Sequence, residues 1–315
     1  MKKNDTLKPI ILFLIILAAL LMSFSCEERM SKTSKIAANV NQEDTTKKSN
    51  PQLSSEFKSY WYNGEAEITS YKLEQARYGE IHEGTAMLIF VTEDFLPKTQ
   101  VKAETYDASN ISVLKLNATK NFNTGLYPYS IMQSTFFPVA NDEHALKISS
   151  SIQEWCGQVY AQLNNRAMFE ITSHSYFQGE ADKSFKLEKT WTENELWTKL
   201  RINPLDLPTG QLQIIPSLEF TRLRHKAIKA YEANAQLKNG QYTINYPELS
   251  RELTILFNPE FPYNIIGWEE KTISGFGANT EVLTTKATKL KTLKTAYWNK
   301  NKKADLVLRD SLLLK

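Results

Sequence analysis

Cysteine is nearly absent from this chain: Cys26 and Cys156 are the two among 315 residues. If Cys26 is consumed by modification, Cys156 has no partner, an intramolecular disulfide is excluded, and the fold must rest on its core. Histidine is scarce as well, with four, so a metal cluster would need ligands converging from far apart, and neither a metal nor a cofactor is expected. His82-Glu83 begins like a zinc-protease motif, but Ala86 stands where the second histidine would have to be. Charge of one sign is also missing. The formal charge is +3, and residues 1–26 hold Lys2, Lys3 and Lys8 against Asp5, so the remainder is close to neutral. Such a balance gives no global field for nucleic acid or an anionic membrane. Gly275-Phe276-Gly277 lacks the third glycine of a dinucleotide loop, and no P-loop, nucleophile elbow or kinase set is found. The longest apolar run, Ile10 to Met22, covers about 13 residues, short of the roughly 20 that span a bilayer as a helix.

That run is instead built as an export signal. Lys2, Lys3 and Lys8 precede it, and Ser23-Phe24-Ser25-Cys26 closes it with small residues. Residues 1–26 resemble the signal and lipobox of bacterial lipoproteins, which implies cleavage before Cys26 and a diacylglycerol on its thiol; an uncleaved anchor is the alternative. Two or three acyl chains would make membrane attachment effectively permanent, since each buried methylene contributes about 0.8 kcal/mol. Residues 27–50 are rich in Lys, Glu, Asp, Ser, Thr and Asn and have little to bury, so a disordered tether is expected. It would hold the domain on the order of 25–30 Å from the lipid. Residues 51–315 then read as a single β-rich domain or two closely packed halves.

Asn50-Pro51 reads as a helix start, with Leu53, Phe57, Tyr60 and Trp61 at helical spacing. Long β runs follow at 65–78 and 82–95, the second apolar on both faces and therefore central. Further strands are expected at 111–119, 126–137, 146–153, 156–163 and 168–177, without intervening helices, which argues for antiparallel meanders. Thr192-Glu193-Asn194-Glu195 is a capping box opening a helix with Leu196, Trp197 and Leu200 on its apolar face, ended by Asn203-Pro204. Strands resume at 211–215, while 218–231 fits strand or helix. Asn239-Gly240 suits a type I′ hairpin between 233–237 and 242–246, and strands at 252–257, 263–270 and 282–298 complete the sheet. The pattern predicts a mainly β fold, a strongly curved antiparallel sheet or partly open barrel with a few short helices.

Chemistry-bearing candidates are few. Cys156 with His174 is the one thiol pair on which a hydrolase or thiol enzyme would rest, although a cysteine beside an aromatic in a strand is more often a small buried hydrophobe. If 218–226 is a strand, Arg222, Arg224 and Lys226 share one face and suit an anion; a solvated face is the alternative. Glu269 and Glu270 cannot pair as acid and base, because adjacent strand residues point to opposite faces.

Several blocks carry a resemblance. Residues 60–67 (Tyr-Trp-Tyr-Asn-Gly-Glu-Ala-Glu), 153–157 (Gln-Glu-Trp-Cys-Gly), 173–177 (Ser-His-Ser-Tyr-Phe) and 290–294 (Leu-Lys-Thr-Leu-Lys) resemble a lipoprotein family of the Bacteroidota whose members are sometimes labelled septum formation inhibitor Maf. The resemblance implies a place in the cell envelope and no tested activity. Maf proteins themselves are cytoplasmic nucleotide pyrophosphatases of α/β fold with an early Ser-Pro-Arg-Arg loop, and none of the eleven prolines here follows a serine. The expectation is a non-enzymatic, lipid-anchored envelope protein. It would sit on the outer membrane, at its periplasmic face or on the cell surface, and bind an apolar ligand such as a lipid, or a partner protein. Alternatives are an enzyme using Cys156 and, last, a Maf-type pyrophosphatase.

Overall fold

The computed structural model describes residues 53–140, 143–275, 277 and 280–314; the expected signal segment 1–26 with Cys26 and the expected tether 27–50 lie outside them. Residues Ser49–Lys315 form one compact unit. Helix α1 (Ser55–Trp61) leads into β1 (Ala66–Arg77), β2 (Glu80–Leu96), β3 (Val101–Lys102), β4 (Ile111–Thr124) and β5 (Tyr127–Pro138). Next come β6 (Lys147–Glu154), β7 (Gly157–Asn165), β8 (Phe169–Ser175), β9 (Lys183–Leu187) and β10 (Trp191–Thr192), then helix α2 (Glu193–Ile202). The return half is β11 (Gly210–Ile215), helix α3 (Leu218–Leu223), β12 (Tyr231–Lys238), β13 (Gln241–Tyr246), β14 (Arg251–Phe257), β15 (Ile265–Ser274), β16 (Glu281–Thr295) and a last short helix α4 (Val307–Ser311).

All sixteen strands belong to one sheet, ordered from β10 and β11 through β16, β1, β2 and β4 to β9, with β3 attached to β2. Apart from the short parallel contact between β10 and β11, neighbours along it run antiparallel. The two edges, β9 and β10, are consecutive in the chain, with only residues 188–190 between Leu187 and Trp191. Four residue steps reach at most about 14 Å. The sheet must therefore curl until its unpaired edges approach each other, and the fold is a strongly curved, open antiparallel barrel with a few short helices. Two glycines mark where neighbouring strands come closest. A Cβ on Gly84 would meet the Asn121 carbonyl oxygen at 2.4 Å, and one on Gly267 would meet that of Ala287 at 2.4 Å.

The capping box of α2 is present: the Thr192 hydroxyl accepts from the Glu195 N–H, and Glu195 accepts from the Thr192 N–H. Its surroundings differ from those of an ordinary amphipathic helix. Leu196 and Leu200 join the main core with Phe90, Leu116, Ile131 and Ile244, but Glu193, Asn194, Glu195 and Arg201 are buried too, because α2 runs through the barrel. Each of these charges meets a polar partner inside the barrel. Arg201 is bidentate on Glu67 of β1, and Glu193 is bonded by Arg251 of β14 and by the Tyr246 hydroxyl at 2.9 Å. Glu195 accepts from the Ala145 N–H at 2.6 Å. Below the helix, α1 closes one end of the barrel, with Phe57 and Trp61 packed on Phe261 and Phe90. On the outer wall, the Ser70 hydroxyl donates to the Leu312 carbonyl at 2.6 Å, tying the α4 segment to β1.

Several local expectations are corrected. Helix α1 is capped by Ser54, whose hydroxyl accepts from the Phe57 N–H at 3.0 Å; the expected start at Asn50-Pro51 lies outside the described residues. The β12–β13 hairpin turns at Asn239-Gly240, but only Gly240 takes positive φ, 72°, so the turn is not type I′. Of the two readings open for 218–231, residues 218–223 take the helix, with the Ser217 hydroxyl accepting from the Phe220 N–H at 3.2 Å. Strand β9, polar and short, has no counterpart in the sequence pattern. Cys156 lies in the β6–β7 turn and is exposed, not a buried strand residue.

Candidate functional site

The end of the barrel opposite α1 carries the turns β1–β2, β4–β5, β6–β7, β8–β9, β13–β14 and β15–β16, together with the segment that follows α3. A cavity of about 550 Å³ opens there. Its basic wall is Arg77, Arg222, Arg224, His225 and Lys226; Glu154, Cys156 and Phe177 face them. A smaller space of about 60 Å³ lies deeper, shares Arg77, Phe220, Leu223 and Arg224 with it, and has room for about two waters. Arg222, Arg224 and Lys226 thus line one cavity, although not as alternate residues of a strand. Arg222 lies in the last turn of α3 and the residues after Leu223 reverse the chain, with His225 at φ 50°. Tyr78 at φ 56° and Ser250 at φ 47° line the same cavity, and such conformations persist only where surrounding structure holds them.

The three arginines are held differently. Arg77, at the end of β1, donates to the Leu223 carbonyl at 2.6 Å, fastening the carboxyl end of α3, and to the Tyr129 hydroxyl at 3.3 Å. The Tyr129 and Tyr78 hydroxyls are bonded at 2.7 Å, and Tyr127 donates to Tyr78 at 3.2 Å. Arg224 donates to the Thr272 hydroxyl at 2.6 Å. Arg222 lies with its guanidinium 4.0 Å over the Phe177 ring, and its nearest carboxylates, Glu154 and Glu180, both stand at 3.9 Å, beyond hydrogen-bond range. It is only 7% exposed, yet its Nε and Nη1 have no hydrogen-bond partner; Arg77 is 8% exposed and its Nε has none either. These are the two cations with buried, unpartnered N–H groups among the described residues, and both face this cavity. Burial pushes the Arg222 guanidinium down, Glu180 pulls it the other way, and neighbouring Arg77 adds to the downward push. Burial likewise lowers Arg224, against the pull of Glu270. An anion in the cavity would offset the cost of holding these cations out of water.

The Cys156–His174 pairing is not formed. His174 faces Asp182 at 3.3 Å from Nδ1, on a side chain more than half exposed. The Cys156 N–H donates to Glu154 at 2.9 Å, and hydrogen bonding to that carboxylate pushes the thiol up, away from the thiolate a nucleophile needs. Among the described residues, no group of three His, Cys, Asp or Glu is placed to hold a metal ion, and no helix is long and apolar enough to cross a membrane. Glu269 and Glu270 do diverge: Glu269 pairs with Lys286 outside at 3.4 Å, and Glu270 with Arg251 inside at 2.6 Å. Arg77, Phe177 and Glu180 were not among the candidates read from the sequence. For Arg77 the available cue was its place beside Tyr78-Gly79, the turn that begins the second long strand.

No family model matches the chain, and no curated protein is similar to it. Among solved structures it is similar to the crystal structure of a beta-barrel-like protein of the domain of unknown function DUF1849 from Brucella abortus. The TM-score is 0.42 at 8% identity, covering 73% of this chain and 96% of that one.

Proposed function

We propose that this protein is a non-enzymatic binding protein of the cell envelope, tethered by lipid on Cys26, that takes a small anionic ligand at the open end of its barrel. The observation that carries the reading is Arg222: a guanidinium 7% exposed, with Nε and Nη1 unpartnered, in a cavity shared with Arg77 and Arg224. A buried polar group without a partner is costly, and a carboxylate or phosphate oxygen meets those N–H groups with charge-assisted bonds. The volume of about 550 Å³ lies in the range of small-molecule sites. A wholly apolar ligand finds little support here, because its head end would face three guanidiniums. A thiol hydrolase is disfavoured by the raised Cys156 thiol.

The test is calorimetric titration of the purified full-length protein with inorganic phosphate and with acetate, repeated on Arg222→Gln. Saturable binding of at least one anion, weakened tenfold or more in the variant, is the expected result. Equal affinity in both proteins, or no binding of either anion, overturns the reading.

A further inference from the structure

A second cavity, about 310 Å³, lies on the inner face of β7–β9 against α3. Val159 and Ala161 of β7, Phe185 of β9, Leu218 of α3 and Ile228 beyond it give it an apolar wall, and Ser173, Lys183 and Thr221 line it as well. Arg222, His225 and Lys226 line both cavities, so one short piece of chain has a cationic, anion-hungry space on one side and an apolar one on the other. Glu180, which also lines the second cavity, accepts from the Ser175 hydroxyl at 2.6 Å and is bonded to His225 Nδ1 at 2.6 Å. Glu180 sits in the β8–β9 turn beside the unpaired edge strand β9, where the barrel wall is not closed.

An inorganic anion would use the first cavity and leave the second open to water against Val159, Ala161 and Leu218, all buried apolar side chains. We infer that the ligand is an anionic amphiphile, a single carboxylate or phosphate group seated on Arg222 with an alkyl or similar apolar portion lying in the β7–β9 cavity. This rests on the anion reading above and adds the class of ligand. The recognition is divided: hydrogen bonds from the Arg222 guanidinium fix the head, and burial of methylenes against β7, β9 and α3 supplies length-dependent affinity. A neutral alcohol of the same length offers the guanidinium one uncharged acceptor in place of charge-assisted bonds, and an alkylammonium opposes Arg77, Arg222 and Arg224 directly.

The experiment is a chain-length series on the unaltered full-length protein: inorganic phosphate, then butyl, hexyl and octyl phosphate, with octanol and octyltrimethylammonium as controls, each below its micellar concentration. Each added methylene is expected to tighten binding about twofold to fourfold, leaving octyl phosphate at least tenfold tighter than phosphate and the two controls far weaker. Filling the second cavity with Ala161→Phe is expected to erase the gain from chain length, read as the ratio of octyl phosphate to phosphate affinity in the same protein; the series on the unaltered chain decides should that variant not fold. Phosphate binding without chain-length dependence overturns this inference and leaves the anion reading standing. Octanol binding as tightly as octyl phosphate also overturns it. Absence of binding by every phosphate in the series removes this inference, and the anion reading falls with it when acetate is not bound either.

Discussion

Arg201 and Glu67, 134 residues apart in the chain, face each other inside the barrel through two parallel hydrogen bonds of 2.7 and 2.8 Å. The guanidinium is 1% exposed and stacks 4.6 Å from the Phe90 ring and 4.9 Å from Trp61, while the Tyr60 hydroxyl donates to the same carboxylate. The pair ties the far end of α2 to the first strand and to α1. Removing one member leaves a buried charge without its partner, for which about 3–5 kcal/mol is typical. Glu67→Gln and Arg201→Met are each expected to lower unfolding free energy by that amount in urea titrations. The double variant should lose less than the sum. A loss below 1 kcal/mol in both single variants would contradict the burial described.

Acid should weaken the fold through the same interior. Burial pushes Glu67 and Glu270 up, but Arg201 beside the first, and Arg251 with Lys120 beside the second, hold both carboxyls below the usual range. A lowered folded value means that the unfolded chain takes up protons first as pH falls. The contribution is therefore complete above an unfolded glutamate value of about 4.3 and is lost as pH drops through that value toward the folded ones. Urea midpoints should stay level between pH 7 and 5 and fall steadily below about 4.5. A midpoint unchanged down to pH 3 would show that neither carboxylate is held by its cations.

At Gly84 the prediction concerns backbone packing. A methyl group there meets the Asn121 carbonyl at 2.4 Å and the Phe122 side chain at 2.7 Å, so β2 and β4 must separate. Gly84→Ala is expected to cost about 1–3 kcal/mol, the usual range for overpacking. Gly179→Ala, with open space around it, should change stability by less than 0.5 kcal/mol. Equal effects at the two positions would mean that the strands are not as close as described.

Much of the architecture was readable because β strands and helix caps announce themselves locally. The doubly apolar alternation of 85–91 marked β2 as central, and it pairs with β1 and β4 on its two sides. The capping box at Thr192 fixed the start of α2. What could not be read is where α2 would lie. Leu196, Trp197 and Leu200 describe an ordinary amphipathic helix, and only the closing of strands from both ends of the chain around it buries Glu193 and Arg201. The partners Arg251 and Glu67 are distant in sequence. The cavity follows the same rule. Arg222 and Arg224 are neighbours in the sequence itself, but Arg77, Phe177 and Glu180 reach them only through long-range register, which carries no local signal. Cys156 was misplaced because a strand reading of 156–163 began one residue early, and that single residue moves it from wall to turn.

For Cys156 itself, the exposed turn and the Glu154 carboxylate set the expectation. Alkylation by iodoacetamide should rise with pH around a midpoint above the ordinary cysteine value of about 8.5. Cys156→Ser should leave stability within about 0.5 kcal/mol. A midpoint below 7 would identify an activated thiolate and revive the thiol-enzyme alternative.

Glu180 provides the sharpest distinction between a cavity built for an anion and one that merely contains arginines. Its carboxylate stands 3.9 Å from Arg222 Nε, too far to hydrogen-bond but near enough to repel an arriving anion. Two unit charges at about 4 Å interact by about 1 kcal/mol in water and several times more at the effective dielectric of a protein surface. Replacing Glu180 with Gln removes that repulsion while keeping an acceptor for the Ser175 hydroxyl and His225. Phosphate affinity should therefore rise about fivefold or more, and the gain should shrink at high salt as exposed charges are screened. If Glu180→Gln instead weakens binding at every ionic strength, the carboxylate is positioning Arg222 for its ligand. In that case the hydrogen-bonded geometry at 180, 222 and 225 outweighs the bare charge.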